Sequence, residues 1–306
     1  MNKNFRGVFA IPPAVYYKNL EVDYEGVRNC VRFCLDCGAH GIVIPVWATE
    51  YYVLTEDERK KILEVTIKEV NGAVPVIAGV TASYVKVAVD LAQHAVSAGA
   101  DGIIAAPPHL MKVTNEELYT YYKKINDAVT IPIMIQHLFP PLGTVMSIDF
   151  LMNLVKTLEH VEYIKEESLR TNQMISGLYK KEQEDGSGKL KGIMGGNGGR
   201  NLIEEYQRGI CGTMPPSGFT DILVDIWNLL ENGNLDAALD LHTQVLPVLT
   251  YGSTYPLISY KEVLKRRGIV DFAGCREAGW PVMDEISFKT LNTLMKRVEP
   301  LMRIKR

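Results

Sequence analysis

Two hydrophobic periods alternate along this chain. Short runs rich in Val, Ile, Gly and Pro, namely GVFAIPPAV, GIVIPV, PVIAGVT, DGIIAAPP, IPIMIQH, VEYIKEES, KGIMGGN and CGTMPPSG, begin near residues 7, 41, 75, 101, 131, 161, 191 and 211. Their length and composition are those of buried strands. Between them, residues 24–37, 55–71, 83–98, 114–128, 147–158, 171–183, 202–208 and 221–232 carry the spacing of amphipathic helices. Eight strands, each followed by a helix, predict an α/β fold of the (β/α)8 TIM-barrel type. A doubly wound open sheet competes, but it usually has fewer strands and a Gly-rich turn after the first one. Here the first strand runs into IPPAVYY.

Helix punctuation agrees with this division. Thr55, Ser83, Thr114 and Ser147 stand where N-caps belong, several with acids in the following turn. Gly38, Gly72, Gly99, Gly209 and Gly233 stand where helices should stop. EQEDGSGKLKG is the most polar stretch and reads as a flexible surface loop leading into the seventh strand. Beyond residue 233 the runs NLDAALDLHTQVLPVL, YPLISYKEVLKRR and SFKTLNTLMKRVEPLM are helical again. The expected organisation is a catalytic barrel over 1–233 and a C-terminal helical appendage over 234–306 packed on it, with no linker between.

Composition narrows the class without naming it. Of the 306 residues 47% are hydrophobic and 23% charged, and the net charge is -3, as in ordinary globular proteins. No apolar run approaches the roughly 18 to 20 residues that span a bilayer, and MNKNFRG lacks the order of a secretory signal, so a cytoplasmic location is expected. Basic residues are scattered among acids, which argues against nucleic acid and membrane partners and for a small molecule. Cys30, Cys34 and Cys37 have the C-x3-C-x2-C spacing used for iron–sulfur clusters. That spacing falls on a predicted helix, which spreads the thiols along one side instead of converging them, so reduced cysteines packing a helix face are expected.

The candidate chemistry lies in VEYIKEES. An ammonium on a buried strand is unfavourable unless it is paired or made neutral. Alternation puts Val161, Tyr163, Lys165 and Glu167 on one face and Glu162, Ile164, Glu166 and Ser168 on the other. If Ile164 faces the helices, Lys165 projects into the barrel at the strand's C-terminal end, where catalytic groups of such folds lie. Desolvation there favours the neutral amine, which can form a Schiff base with a ketone. A buried ion pair with Glu167 is the structural alternative.

The layout PIMIQ...PP.GTVMS...FL..L...L.HVEYIKEES, preceded by GAHGIVIPVWATEYYVLTEDER and followed by KGIMGGNGGR...RGICGTMP, resembles the dihydrodipicolinate synthase and N-acetylneuraminate lyase superfamily over nearly the whole chain. The resemblance implies a (β/α)8 Schiff-base lyase with C-terminal helices, acting on a 2-oxo acid without metal or organic cofactor and commonly assembled as a dimer of dimers. It places the imine on Lys165. The departures bear on substrate. The family's Gly-Thr-Thr-Gly-Glu motif, whose threonines bind the keto-acid carboxylate, is here Val46, Trp47, Ala48, Thr49 and Glu50. Backbone amides around Trp47 to Thr49 are the remaining candidates for that task. The proton-relaying tyrosine of the fifth strand falls on Gln136, which cannot exchange a proton near neutral pH, and its neighbour on His137. The tyrosine pair after the fourth strand is replaced by Pro108 and His109, and the arginine that binds a second carboxylate falls at or near Pro141.

The pattern Q-x-x-x-P-x-x-G with K-x-E-[ST] is similar to a branch that includes 2-keto-3-deoxy-L-arabonate dehydratase. An imine on a 2-oxo acid acidifies C3. From the enamine, loss of a C4 hydroxyl is dehydration, whereas retro-aldol cleavage needs a proton acceptor on that hydroxyl. Loss of the tyrosine favours dehydration, with aldol cleavage the other route, and the resemblance implies a 2-keto-3-deoxy sugar acid as substrate. Glu167 is the candidate general acid or base, or only the lysine's counter-charge, and Ser168 a hydroxyl contact or helix cap. GGNGGR, with Gly196 and Asn197, reads as a backbone wall of the pocket or a tight turn. His109 and His137 are polar lining, since two histidines make no metal site. Trp47 stacks on substrate or plugs the pocket. A dihydrodipicolinate synthase with an atypical pocket and a non-catalytic ligand-binding barrel are the alternatives.

Overall fold

The protein is described here by a computed structural model covering residues 4–108, 112–138, 144–276 and 282–304. His109 and Pro141 lie outside the described residues. Eight parallel strands close a barrel in sequence order: β1 Gly7–Ala10, β2 Gly41–Ile44, β3 Val76–Gly79, β4 Gly102–Ala105, β5 Ile133–Leu138, β6 Val161–Glu167, β7 Gly192–Gly195 and β8 Gly212–Thr213. The helices alternate with them as α1 Tyr24–Asp36, α2 Glu56–Val70, α3 Val85–Ala98, α4 Asn115–Asn126, α5 Ile148–Thr157, α6 Thr171–Asp185, α7 Leu202–Gln207 and α8 Thr220–Glu231. Among the described residues three more follow, α9 Leu235–Thr254, α10 Ile258–Arg266 and α11 Glu285–Val298.

Strand faces divide the core in two. Phe9, Val43, Ile77, Ile104, Met134 and Tyr163 fill the barrel interior, while Val8, Ile42, Ala78, Ile103, Ile135 and Ile164 pack against the helices. β6 departs from strict alternation. Val161 packs outside with Ile164, because the β5 and β6 register shifts between Ile133 and Met134, pairing Met134 with Tyr163 and leaving Glu162 over. From Tyr163 onward the expected faces hold, with Ile164 outward and Lys165 lining the cavity inside.

Local chemistry sets the helix ends. Thr55 and Glu58 form a reciprocal capping box at α2, as do Thr114 and Glu117 at α4, and the Ser147 hydroxyl accepts the Phe150 amide at α5. Ser83 is not a cap: α3 begins after Tyr84 with no side-chain cap. The five expected terminating glycines have positive φ, a region that disfavours residues with a Cβ. The polar stretch after residue 181 is only partly loop, since α6 continues to Asp185 before Gly186 ends it. Cys30 and Cys34 on α1 and Cys37 at its C-cap lie buried in apolar packing, and burial pushes the Cys30 thiol up to about 12.

The final helices are fastened to the barrel by buried polar contacts. At the end of α10, both Arg267 Nη atoms bond Asp221 of α8, at 2.9 and 2.7 Å, and donate as well to the carbonyls of Gly218 and Ile304. Lys261 of α10 is buried, pairs with Glu50 after β2, donates to the Gly274 carbonyl at 2.9 Å and stands 4.2 Å from the Tyr16 ring centroid.

Candidate active site

β5, β6 and β7 set side by side the residues on which the chemistry turns. Register pairs Gln136 with Lys165 and Lys165 with Met194, so all three share the inner face at one level. Lys165 is only 3% exposed, and its Nζ lies 2.9 Å from Glu167 Oε2. Gln136 Nε2 donates to the same oxygen at 2.8 Å, and the Asn197 amide donates to Oε1 at 3.3 Å. Glu167 is thus held by the lysine, an amide side chain and a backbone N–H, a set that fixes one carboxylate rotamer beside one amine. Gly196 makes this possible, because a Cβ there would overlap the Glu167 side chain.

These groups open into a cavity of about 490 Å³. Trp47 and Ala48 line one side of it, and Asn197, Gly198 and Arg200 another. A further wall comes from beyond the barrel, with Val248 and Leu249 of α9, Tyr260 and Val263 of α10, and Leu291 of α11. A polar cavity of about 360 Å³ adjoins it at the start of α6, sharing Glu167, Asn197 and Arg200 and adding Ser168.

Several residues expected at the pocket sit elsewhere. The Thr49 hydroxyl is fully buried and donates to the Pro12 carbonyl at 3.0 Å while accepting the Val46 amide, so it braces a short 3-10 turn. Glu50 adopts a left-handed backbone and is turned to Lys261 and to the Arg276 amide, which it accepts at 3.0 Å. His137 lies on the outer face of β5: its Nδ1 is 2.7 Å from Glu166 Oε2, and its Nε2 accepts the Met146 amide. With Nε2 an acceptor, the Nδ1 proton points at Glu166. Ser168 caps no helix; its amide donates to Glu166 Oε1. Gly196 stands behind Glu167. For His137 the physical reason is the alternation of strand faces, which turns the neighbour of inward Gln136 outward, whereas Thr49 and Glu50 lie on the turn after β2 and are drawn to Pro12 and Lys261.

Arg200 and Tyr260 went unread in the sequence. Arg200 donates from Nε to the Asn197 carbonyl at 2.8 Å and from Nη1 to Ser253 Oγ at 3.1 Å. The GGR turn was legible, but not that its arginine spans to α9. Tyr260 lies after the eighth strand–helix unit, where no strand-end position marks it.

The family profile described as the dihydrodipicolinate synthetase family matches residues 4–297. The chain belongs to that family. It is 27% identical over 301 residues, 97% of this chain and 95% of its relative, to L-2-keto-3-deoxyarabonate dehydratase of Azospirillum brasilense. It is 32% identical over 251 residues, 80% of each chain, to 4-hydroxy-tetrahydrodipicolinate synthase of Bradyrhizobium diazoefficiens. The crystal structure of dihydrodipicolinate synthase from Rhodopseudomonas palustris superposes with a TM-score of 0.88 at 27% identity, covering 97% of this chain and 99% of that one. Members of this family are lyases that work through a lysine Schiff base, and this chain is such an enzyme.

Proposed function

We propose that this family member forms an imine between Lys165 and a 2-oxo acid and dehydrates a 2-keto-3-deoxy sugar acid. The observation that carries the reading is the buried Lys165 amine, opening to a cavity where, among the described residues, Glu167 is the one carboxylate in contact. Nζ adds to the C2 carbonyl and water leaves, giving an imine that withdraws electrons from C3. Glu167, beside the protonated imine nitrogen that keeps the lysine's positive charge, takes the C3 proton. The enamine then expels the C4 hydroxyl. Gln136 keeps the carboxylate aligned. Similarity to a dehydratase over nearly the full chain supports this outcome. The family resemblance further supports a homo-oligomer, a dimer of dimers, in the cytoplasm, with no metal or organic cofactor.

A second reading, condensation of pyruvate with aspartate semialdehyde, draws support from the 32% identity to a protein named for that synthase. Trp47 and Ala48 in place of the threonine pair, and Gln136 in place of the tyrosine, weigh against it.

Borohydride trapping with pyruvate and a panel of 2-keto-3-deoxy acids tests the proposal, read by intact mass and peptide mapping with Lys165→Ala as control. The expected result is an adduct on Lys165, absent from the variant, with the sugar acids dehydrated on turnover. An enzyme that labels no residue with any of them has a structural Lys165. Labelling by pyruvate and turnover only with aspartate semialdehyde assigns the synthase reaction.

A further inference from the structure

The proposed mechanism leaves one step without a residue: the oxygen that departs from C4 needs a proton. Glu167 is occupied with the C3 proton, Gln136 cannot donate one as an acid, and Lys165 is in the imine. Tyr260 is placed for the task. It comes from α10, yet its ring packs against the barrel-interior cluster, as does Trp47, and lines the same cavity as Lys165. Gly252 of α9 gives the ring its seat, since a Cβ there would approach Cε1 to 3.2 Å. Among the described residues the phenol hydroxyl makes no hydrogen bond, so its proton is uncommitted.

Among the described residues two charges act on that hydroxyl, the Glu167 carboxylate and the Arg200 guanidinium. Burial, the largest influence, pushes the phenol up to about 12, with Glu167 adding to the rise and Arg200 opposing it. The group is therefore a neutral donor at neutral pH, with a cation at hand for the phenolate. Arg200 is held in place by Asn197 and Ser253, and among the described residues no carboxylate forms an ion pair with it.

We propose that Tyr260 is the catalytic acid of the site, giving its proton to the C4 oxygen as the C4–O bond breaks, with Arg200 positioned to stabilise the phenolate. This rests on the imine and dehydration reading above. The step balances: Glu167 receives the C3 proton, the C3–H electron pair passes through the enamine to displace the C4 oxygen, and that oxygen leaves as water with the Tyr260 proton. Proton return from Glu167 to the phenolate resets the site. The phenol lost from β5 is thereby supplied from α10, as a donor suited to dehydration.

Tyr260→Phe tests it, because the ring and its packing on Gly252 are kept. The assay uses the 2-keto-3-deoxy acid ranked first by trapping, and follows in parallel borohydride labelling of Lys165 and deuterium exchange at C3 of pyruvate. Exchange needs Lys165 and Glu167 only. The expected result is a kcat lower by about 10²-fold, with labelling, exchange and melting temperature unchanged. Turnover equal to the parent enzyme overturns the assignment, as does a parallel fall in labelling and exchange, which would make Tyr260 a packing residue. A parent enzyme that labels but dehydrates no member of the panel removes the acid role as well. Absence of labelling in the parent enzyme instead overturns the imine reading beneath it.

Discussion

Glu205 of α7 is a carboxyl group with zero exposure and no hydrogen bond to either oxygen among the described residues. It occupies the place that a side chain on Gly195 would fill, since a Cβ there would overlap Oε2. Gly195 pairs in register with Glu166, so Glu205 lies on the outer face of β7 near two other acids. Burial, with Glu167 and Glu166 adding, pushes its pKa from the ordinary 4.5 to about 8. A carboxyl raised in the folded state stabilises it fully below its unfolded pKa, and that contribution is lost as pH rises through the folded pKa. Stability should therefore decline between about pH 4.5 and pH 8, and Glu205→Gln should flatten the decline and exceed the parent at pH 8. Urea titrations of both proteins across that range check it; parallel curves would place the proton elsewhere. No sequence signal marked Glu205, because an acid in the first turn of a helix is ordinary.

Elements were legible where their chemistry is local. Thr55 followed three residues on by Glu58 announces a capping box, and the box is present with bonds of 3.2 and 2.9 Å. Ser83 carried the same residue-type signal without an acid three positions on, and α3 starts one residue later without it. Thr55→Ala is expected to cost about 1 kcal/mol, and Ser83→Ala to stay within about 0.5 kcal/mol, by chemical denaturation. Equal effects would mean that Ser83 has a partner in solution. The β6 bulge was not legible, because a register shift depends on how β5 pairs and leaves no local mark. The extension of α6 into the polar EQED run is also tertiary in origin. Ile175 and Leu178 bury one face of that helix, and this packing carries it past a sequence that composition alone assigns to loop.

For the whole molecule, the cavity is a joint product of the barrel and of helices that follow its eighth strand. Arg267 and Asp221 hold that relation, being 5% and 0% exposed and joined by two bonds. Removing one member of a buried pair leaves the other uncompensated. Arg267→Ala should lower stability by about 3–5 kcal/mol in urea titration, and an unchanged midpoint would show that Asp221 finds another partner or a proton. The sequence by itself determined the eightfold strand–helix alternation, the family, and the inward aim of Lys165 and Glu167, because hydrophobic period and strand parity act between near neighbours. Only the tertiary structure decided that Thr49 and Glu50 turn away from the cavity and that Arg200 and Tyr260 enter it. Those placements join residues up to 226 positions apart, as Glu50 and Arg276 are. Contacts at that range are set by closure of the barrel and docking of α9 to α11, and local pattern carries no record of them.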